Sequence, residues 1–137
     1  TLAFQYFGDA FGWEVRGLQG ISTQDEAGVA DIQDIAGFVA EREIPVMFVE
    51  SSVPPDAIEA VQEAVRAGGG IVEIGLKELY SDAMGAPTDF GGTYVGMLAQ
   101  NVAIVVRSFG YELPEWPDGL EPVLPEWLFL LGEEAQR

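Results

Sequence analysis

The sequence predicts an α/β fold, a three-layer lobe whose short parallel sheet of three strands lies between helices, with a Pro/Trp-rich tail behind it. Three observations carry that prediction. Apolar residues at helical spacing alternate with short apolar runs between Phe4 and Phe109. Each run stops at a polar or glycine-bearing turn, and the composition changes character at Gly110. The 137 residues suffice for one core, read as a lobe over 1–110 and a tail over 111–137.

Taken in order, Phe4 to Phe11 carries aromatics at 4, 7 and 11 and is closed by Gly12, which predicts a short helix. Trp13 to Leu18 reads as a strand that enters the polar loop "QGISTQDEAGVA". Asp31 is the expected N-cap of the next helix, whose buried stripe is Ile32, Ile35, Ala36 and Val39 and whose end falls near Glu43. Val46 to Val49 is a four-residue apolar run, the pattern of a strand covered on both faces, and it stops at Glu50-Ser51-Ser52. Pro54 and Pro55 suit the first turn of a helix. Ala57, Ile58, Val61, Ala64 and Val65 give that helix its apolar face, and Gly68 to Gly70 end it. A third strand is expected from Ile71 to about Leu76. The last long helix is expected from Thr93 to about Phe109, with Tyr94, Met97, Leu98, Asn101, Val102 and Val105 on one side.

The tail, "YELPEWPDGLEPVLPEW", holds Pro114, Pro117, Pro122 and Pro125 and no basic residue, so it reads as extended and turn-rich. The apolar "EWLFLL" then suggests a short terminal helix. Trp116, Trp127, Leu128, Phe129 and Leu130 are too apolar to stand in water without a contact, and are expected to dock on the lobe or a neighbour.

Composition narrows the functional classes. With 23 acidic and 6 basic residues the formal charge is -17, which repels phosphate backbones and anionic lipid and attracts cations. No apolar stretch reaches the ~20 residues a bilayer span requires. The expectation is therefore no nucleic-acid partner and no membrane insertion. Zero cysteines and zero histidines exclude disulfides, thiolate metal sites and any Ser-His-Asp or Cys-His mechanism within this chain.

Ligands of open parallel sheets gather at the carboxyl ends of the strands, where Gln19 to Thr23, Glu50 to Ser52 and Ser81 to Gly85 are expected to fall. Asp82, in "KELYSDAMG", is a candidate hard oxygen ligand for a metal ion; a helix cap or an Asx turn is the plainer reading of the same Ser-Asp pair. Glu50 could bind, act as an acid or cap its own turn, and a glycosidase-like pair of Glu50 with Asp82 would need a fixed separation that spacing does not supply. Gly68 to Gly70 precede a strand, whereas a phosphate loop comes after one, so they are a helix stop. Tyr6, Phe7 and Phe11 read as core rather than as a stacking platform.

Four ordered blocks, "FQYFGDAFGWEVRGLQGIST", "IPVMFVESSV", "KELYSDAMG" and "GGTYVGMLAQNV", resemble the C-terminal lobe of the metal-binding solute-binding proteins of zinc and manganese ABC importers, over about residues 3 to 107. The resemblance implies a non-catalytic receptor, periplasmic or at the cell surface. Two lobes would hold a divalent transition metal (Mn, Zn or Fe) between them, and the partners would be an N-terminal lobe and an ABC permease. It places one of four metal ligands on Asp82 and another on Thr1, where threonine stands in place of His or Glu. Two histidines would come from the other lobe. This chain is thus expected to carry an incomplete site that holds metal weakly by itself, and to lack the family lobe's first strand, leaving a fourth sheet position open to another segment. The alternative is a metal-silent interaction module that forms a homo-oligomer through its tail and open sheet edge.

Overall fold

A computed structural model describes residues 2–18, 28–51 and 55–113. It shows a helix-rich lobe with a small parallel two-stranded sheet flanked by helices. The chain divides into two compact units, residues 1–82 and 83–137.

The first unit holds α1 (Leu2–Phe11), α2 (Val29–Glu41), β1 (Val46–Met47), α3 (Asp56–Ala67) and β2 (Glu73–Ile74). Its core is built from one stripe of each later helix and from the strands: Ala36 and Val39 of α2, Met47, Val61 and Val65 of α3, and Val72. Leu18, Ile32, Ile35, Ile44, Ile58 and Ala64 pack around these residues. The stripes are those the 3.6-residue period predicts. They bring α2 against α3, and α3 against β2.

The second unit holds a 3-10 turn, Phe90–Gly92, and α4 (Tyr94–Ser108). Thr93 caps α4, its hydroxyl accepting the Gly96 N–H at 3.1 Å. α4 buries Met97, Asn101, Ala103 and Ile104; of the residues expected on one side, Met97 and Asn101 are thus buried while Tyr94, Leu98 and Val102 are exposed. The loop 85–92 determines which side is covered. It lies over the first turn of α4, with Phe90 packed against Ala103 and Ala99, and a Cβ on Gly92 or Gly96 would collide with the Ala86 or Phe90 carbonyl. Residues 114–137, including the predicted terminal helix, lie outside the described residues.

Helix ends obey one rule. After α1, α3 and α4 the chain turns through Gly12, Gly69 and Gly110, all at positive φ, and the next residue's N–H returns to a carbonyl five residues back: Trp13 to Gly8 O at 2.8 Å, Gly70 to Val65 O at 3.0 Å, Tyr111 to Val106 O at 3.1 Å. This is the Schellman closure, which glycine adopts without a Cβ penalty. α2 closes in the same way, with Ile44 N–H on Val39 O at 3.0 Å, but the left-handed residue is Glu43 at φ 50°.

β1 and β2 pair in parallel, Val46 with Glu73 and Met47 with Ile74, and the segments meet again where Glu50 bridges Leu79. Between these pairings the second segment, Ile74 to Leu79, has two residues more than the first, Met47 to Glu50, so it bulges outward and exposes Leu76. The expected strand 71–76 is thereby cut short. Val72 is buried but its carbonyl accepts Gln62 Nε2 at 2.9 Å, and β2 starts only at Glu73.

The predicted strand Trp13 to Leu18 is not one: the segment has no regular secondary structure, and the sheet has two strands, not three, among the described residues. Side chains hold it instead. Trp13 stacks with Phe7 and Phe11 at 5.6 and 5.8 Å, and Glu14 accepts hydrogen bonds from Arg16 at 3.0 Å and from Arg42 at 2.8 Å. Both guanidiniums lie over the Phe38 ring, at 5.0 and 4.8 Å, and Leu18 reaches the core. Tyr6 and Phe11 are exposed, so these two are not core, while Phe7 is half-buried. Asp31 is likewise not a cap. Gly28 precedes α2 without any side-chain cap, and Asp31 sits inside the first turn, where its charge favours the helix's positive end.

Candidate metal centre

The candidate site begins where the two parallel segments end. Leu79 is buried and donates its N–H to Val49 O at 2.7 Å, while its carbonyl accepts the Ser51 N–H at 2.9 Å. These bonds lock the end of the second segment beside that of the first. Three residues past the lock stands Asp82, exposed, with Ser81 Oγ donating to its Oδ1 at 3.3 Å. That bond leaves Oδ2 uncommitted to Ser81, an arrangement that suits an oxygen ligand facing outward.

Asp82 caps no helix. The next helical turn starts at Phe90 with Asp89 as its N-cap, and α4 is capped by Thr93. The helix-cap reading of the Ser-Asp pair therefore does not apply to the described helices. Glycine shapes the loop beyond Asp82, with Gly85 N–H bonded to Gly91 O at 2.9 Å as the chain doubles back.

Glu50 and Asp82 both lie at the carboxyl ends of the paired segments, as expected, but their chemical settings differ. Glu50 is half-buried within the parallel bridge, and Asp82 is exposed. The third expected loop, Gln19 to Thr23, lies outside the described residues, as do Ser52 and Thr1. No group of three or more His, Cys, Asp or Glu side chains that could hold a metal occurs among the described residues. The donors that the chain can offer here are carboxylate and hydroxyl oxygens, because it has neither histidine nor cysteine. One such oxygen suits a divalent ion as a single ligand of several, and is not a site alone.

Away from this loop, Glu14 is held in a charged brace. The Glu14 carboxyl is held below its ordinary pKa, first by the hydrogen bond from Arg16 and then by the charge of Arg42. The pattern that would have revealed this brace in the sequence is Glu14 and Arg16, two apart on one side of an extended segment, together with a basic residue at the end of α2. No helix among the described residues is long and apolar enough to cross a membrane.

The family model of the periplasmic zinc-uptake complex component A, ZnuA, matches residues 2–108. The chain is 50% identical over 106 residues to the zinc-binding protein TroA of Treponema pallidum, and 42% identical over 106 residues to the manganese-binding lipoprotein MntA of Bacillus subtilis. Each match covers 77% of this chain and 34% of the relative, so the chain spans about a third of the length of the curated relatives it matches. Among solved structures, the periplasmic zinc-binding protein TroA of T. pallidum superposes with a TM-score of 0.71 at 49% identity, over 77% of this chain and 38% of that one. The Fe(III)-bound YtgA of Chlamydia trachomatis, at 17% identity and a TM-score of 0.60 over 84% of this chain and 37% of that one, shares the fold. The chain therefore belongs to the ZnuA family of periplasmic metal-binding components, in which it corresponds to one lobe.

Proposed function

We propose that the chain is the C-terminal lobe, residues 1–110, of an extracytoplasmic receptor that captures Mn, Zn or Fe and delivers it to an ABC permease, with Asp82 as its one described metal ligand. The metal is cargo. Asp82 would supply a hard, anionic oxygen from a loop anchored by the Leu79 lock, and two histidines would come from a facing lobe.

The observation that carries the reading is the position of Asp82: exposed, oriented by Ser81, at the carboxyl end of a parallel segment, and capping nothing. The relatives named for zinc and manganese support the class of cargo. Carboxylate oxygen serves both ions, so the choice between them rests with the other ligands.

A chimera tests it. Replacing the matched third of TroA by residues 2–108 leaves the host to supply the rest of the receptor. Titration with zinc should show one-to-one binding, weakened at least roughly tenfold by D82A. Equal affinity with and without the Asp82 carboxylate would refute its role.

A further inference from the structure

We infer that Ser81 is a positioning residue, which restricts Asp82 to one-oxygen ligation of the metal through Oδ2. The inference rests on the reading of Asp82 as a ligand and adds how that ligand is held.

The backbone builds the contact. In a straight extended segment neighbouring side chains point to opposite faces, so a serine and the aspartate after it do not meet. Here the parallel pairing reaches Leu79, and the chain then bends at Ser81 and Asp82. The bend turns the two side chains together, and Ser81 Oγ donates to Asp82 Oδ1 at 3.3 Å. The pair is asymmetric. Ser81 is half-buried, two residues beyond the Leu79 hydrogen bonds, whereas Asp82 is exposed. The serine is thus the anchored partner, and the carboxylate is the group that it turns.

An aspartate χ2 torsion is broad and about twofold, so an exposed carboxylate with nothing to orient it offers a cation either oxygen or both. The serine proton removes that symmetry. A metal chelated by both oxygens would draw on Oδ1 against that proton, whereas a metal on Oδ2 alone leaves the hydrogen bond undisturbed. Such outer hydrogen bonds orient ligating side chains and tune what they deliver to the metal. At 3.3 Å the bond is long for O–H···O, so it directs the carboxylate and adds little to the stability of the fold. Loss of the hydroxyl should therefore be felt by the metal and not by the melting curve.

Two measurements test this. In the metal-free 137-residue chain, the Hα–Hβ couplings of Asp82 should report a single rotamer, averaged in S81A and restored in S81T, which keeps the hydroxyl. In the TroA chimera, S81A should weaken zinc roughly three- to tenfold and S81T should bind as the parent does. Ser81 acts only through Asp82, so adding S81A to D82A should change nothing further. Infrared difference spectra between zinc-loaded and metal-free chimera should show the wide carboxylate stretching splitting of one-oxygen ligation, assigned by its loss in D82A. In S81A the splitting should narrow, as two-oxygen ligation requires.

The outcomes separate the inference from the reading beneath it. If D82A binds zinc as well as the parent, Asp82 is not a ligand and both fall. If D82A is weakened but S81A is not, the inference alone is overturned. It is overturned equally by an S81A effect that persists in D82A, by narrow splitting in the parent chimera, or by Asp82 couplings already averaged in the unaltered chain.

Discussion

Replacing Glu43 by glycine should stabilise the protein. Glu43 is the one non-glycine residue at positive φ among the described residues, at 50°, in the position that the other three helices fill with Gly12, Gly69 and Gly110. The conformation is held because Glu43 N–H reaches Ala40 O at 3.3 Å and Ile44 N–H reaches Val39 O at 3.0 Å, which carries Ile44 into the core beside buried Val39. A side chain in the left-handed region costs about 1–2 kcal/mol. Glycine removes that cost but widens the unfolded ensemble by about 0.5–1 kcal/mol. The net expectation for E43G is a gain of about 0.5–1 kcal/mol, or roughly 2–6 °C in the unfolding midpoint. Because the substitution also removes one charge from a chain at -17, E43Q is the control, which keeps the Cβ and loses the charge. Thermal unfolding followed by circular dichroism compares the three proteins. If E43Q rises as far as E43G, or E43G melts at or below the unaltered chain, the strain argument is wrong.

Neighbouring residues in the second segment give a contrast: Val72 is 0% and Ile71 83% exposed. V72A should cost about 2–3 kcal/mol in urea unfolding, and I71A no more than about 0.5 kcal/mol. The Glu14 brace predicts a pH dependence of definite sign. Its folded pKa is depressed by Arg16 and Arg42, so the stability it contributes is fully present above the unfolded pKa and is lost as pH falls through the folded one. E14Q should therefore flatten the acid limb of the stability profile slightly, the carboxylate being exposed, and an unchanged limb would show that the brace contributes nothing.

Much of this fold was legible in the sequence because its helices are amphipathic and closed by glycine. The core stripes of α2 and α3 were read from spacing alone, as were the α3 stop at Gly68–Gly70 and the Thr93 start of α4. What was not legible depends on partners distant in the chain. Trp13 to Leu18 alternates like a strand, but its contacts are with Phe7, Phe11, Phe38 and Arg42, and pattern alone does not distinguish ladder hydrogen bonds from side-chain stacking. Spacing gave α4 one apolar side, including Tyr94 and Leu98. Of that side Met97 and Asn101 are buried, and Phe90 of the loop 85–92 clusters with Ala103, a contact that no local period encodes. At the site, the strand-end position of Asp82 could be read, whereas the two-residue bulge and the Leu79 lock that deliver it depend on register between segments.

The central claim is that this chain contributes a single described ligand, Asp82, to a metal site completed from elsewhere. Calorimetric titration of the 137-residue chain with manganese and with zinc tests it most directly. The account predicts binding no tighter than about millimolar, lost in D82A. Stoichiometric binding at micromolar or better that persists in D82A would contradict it.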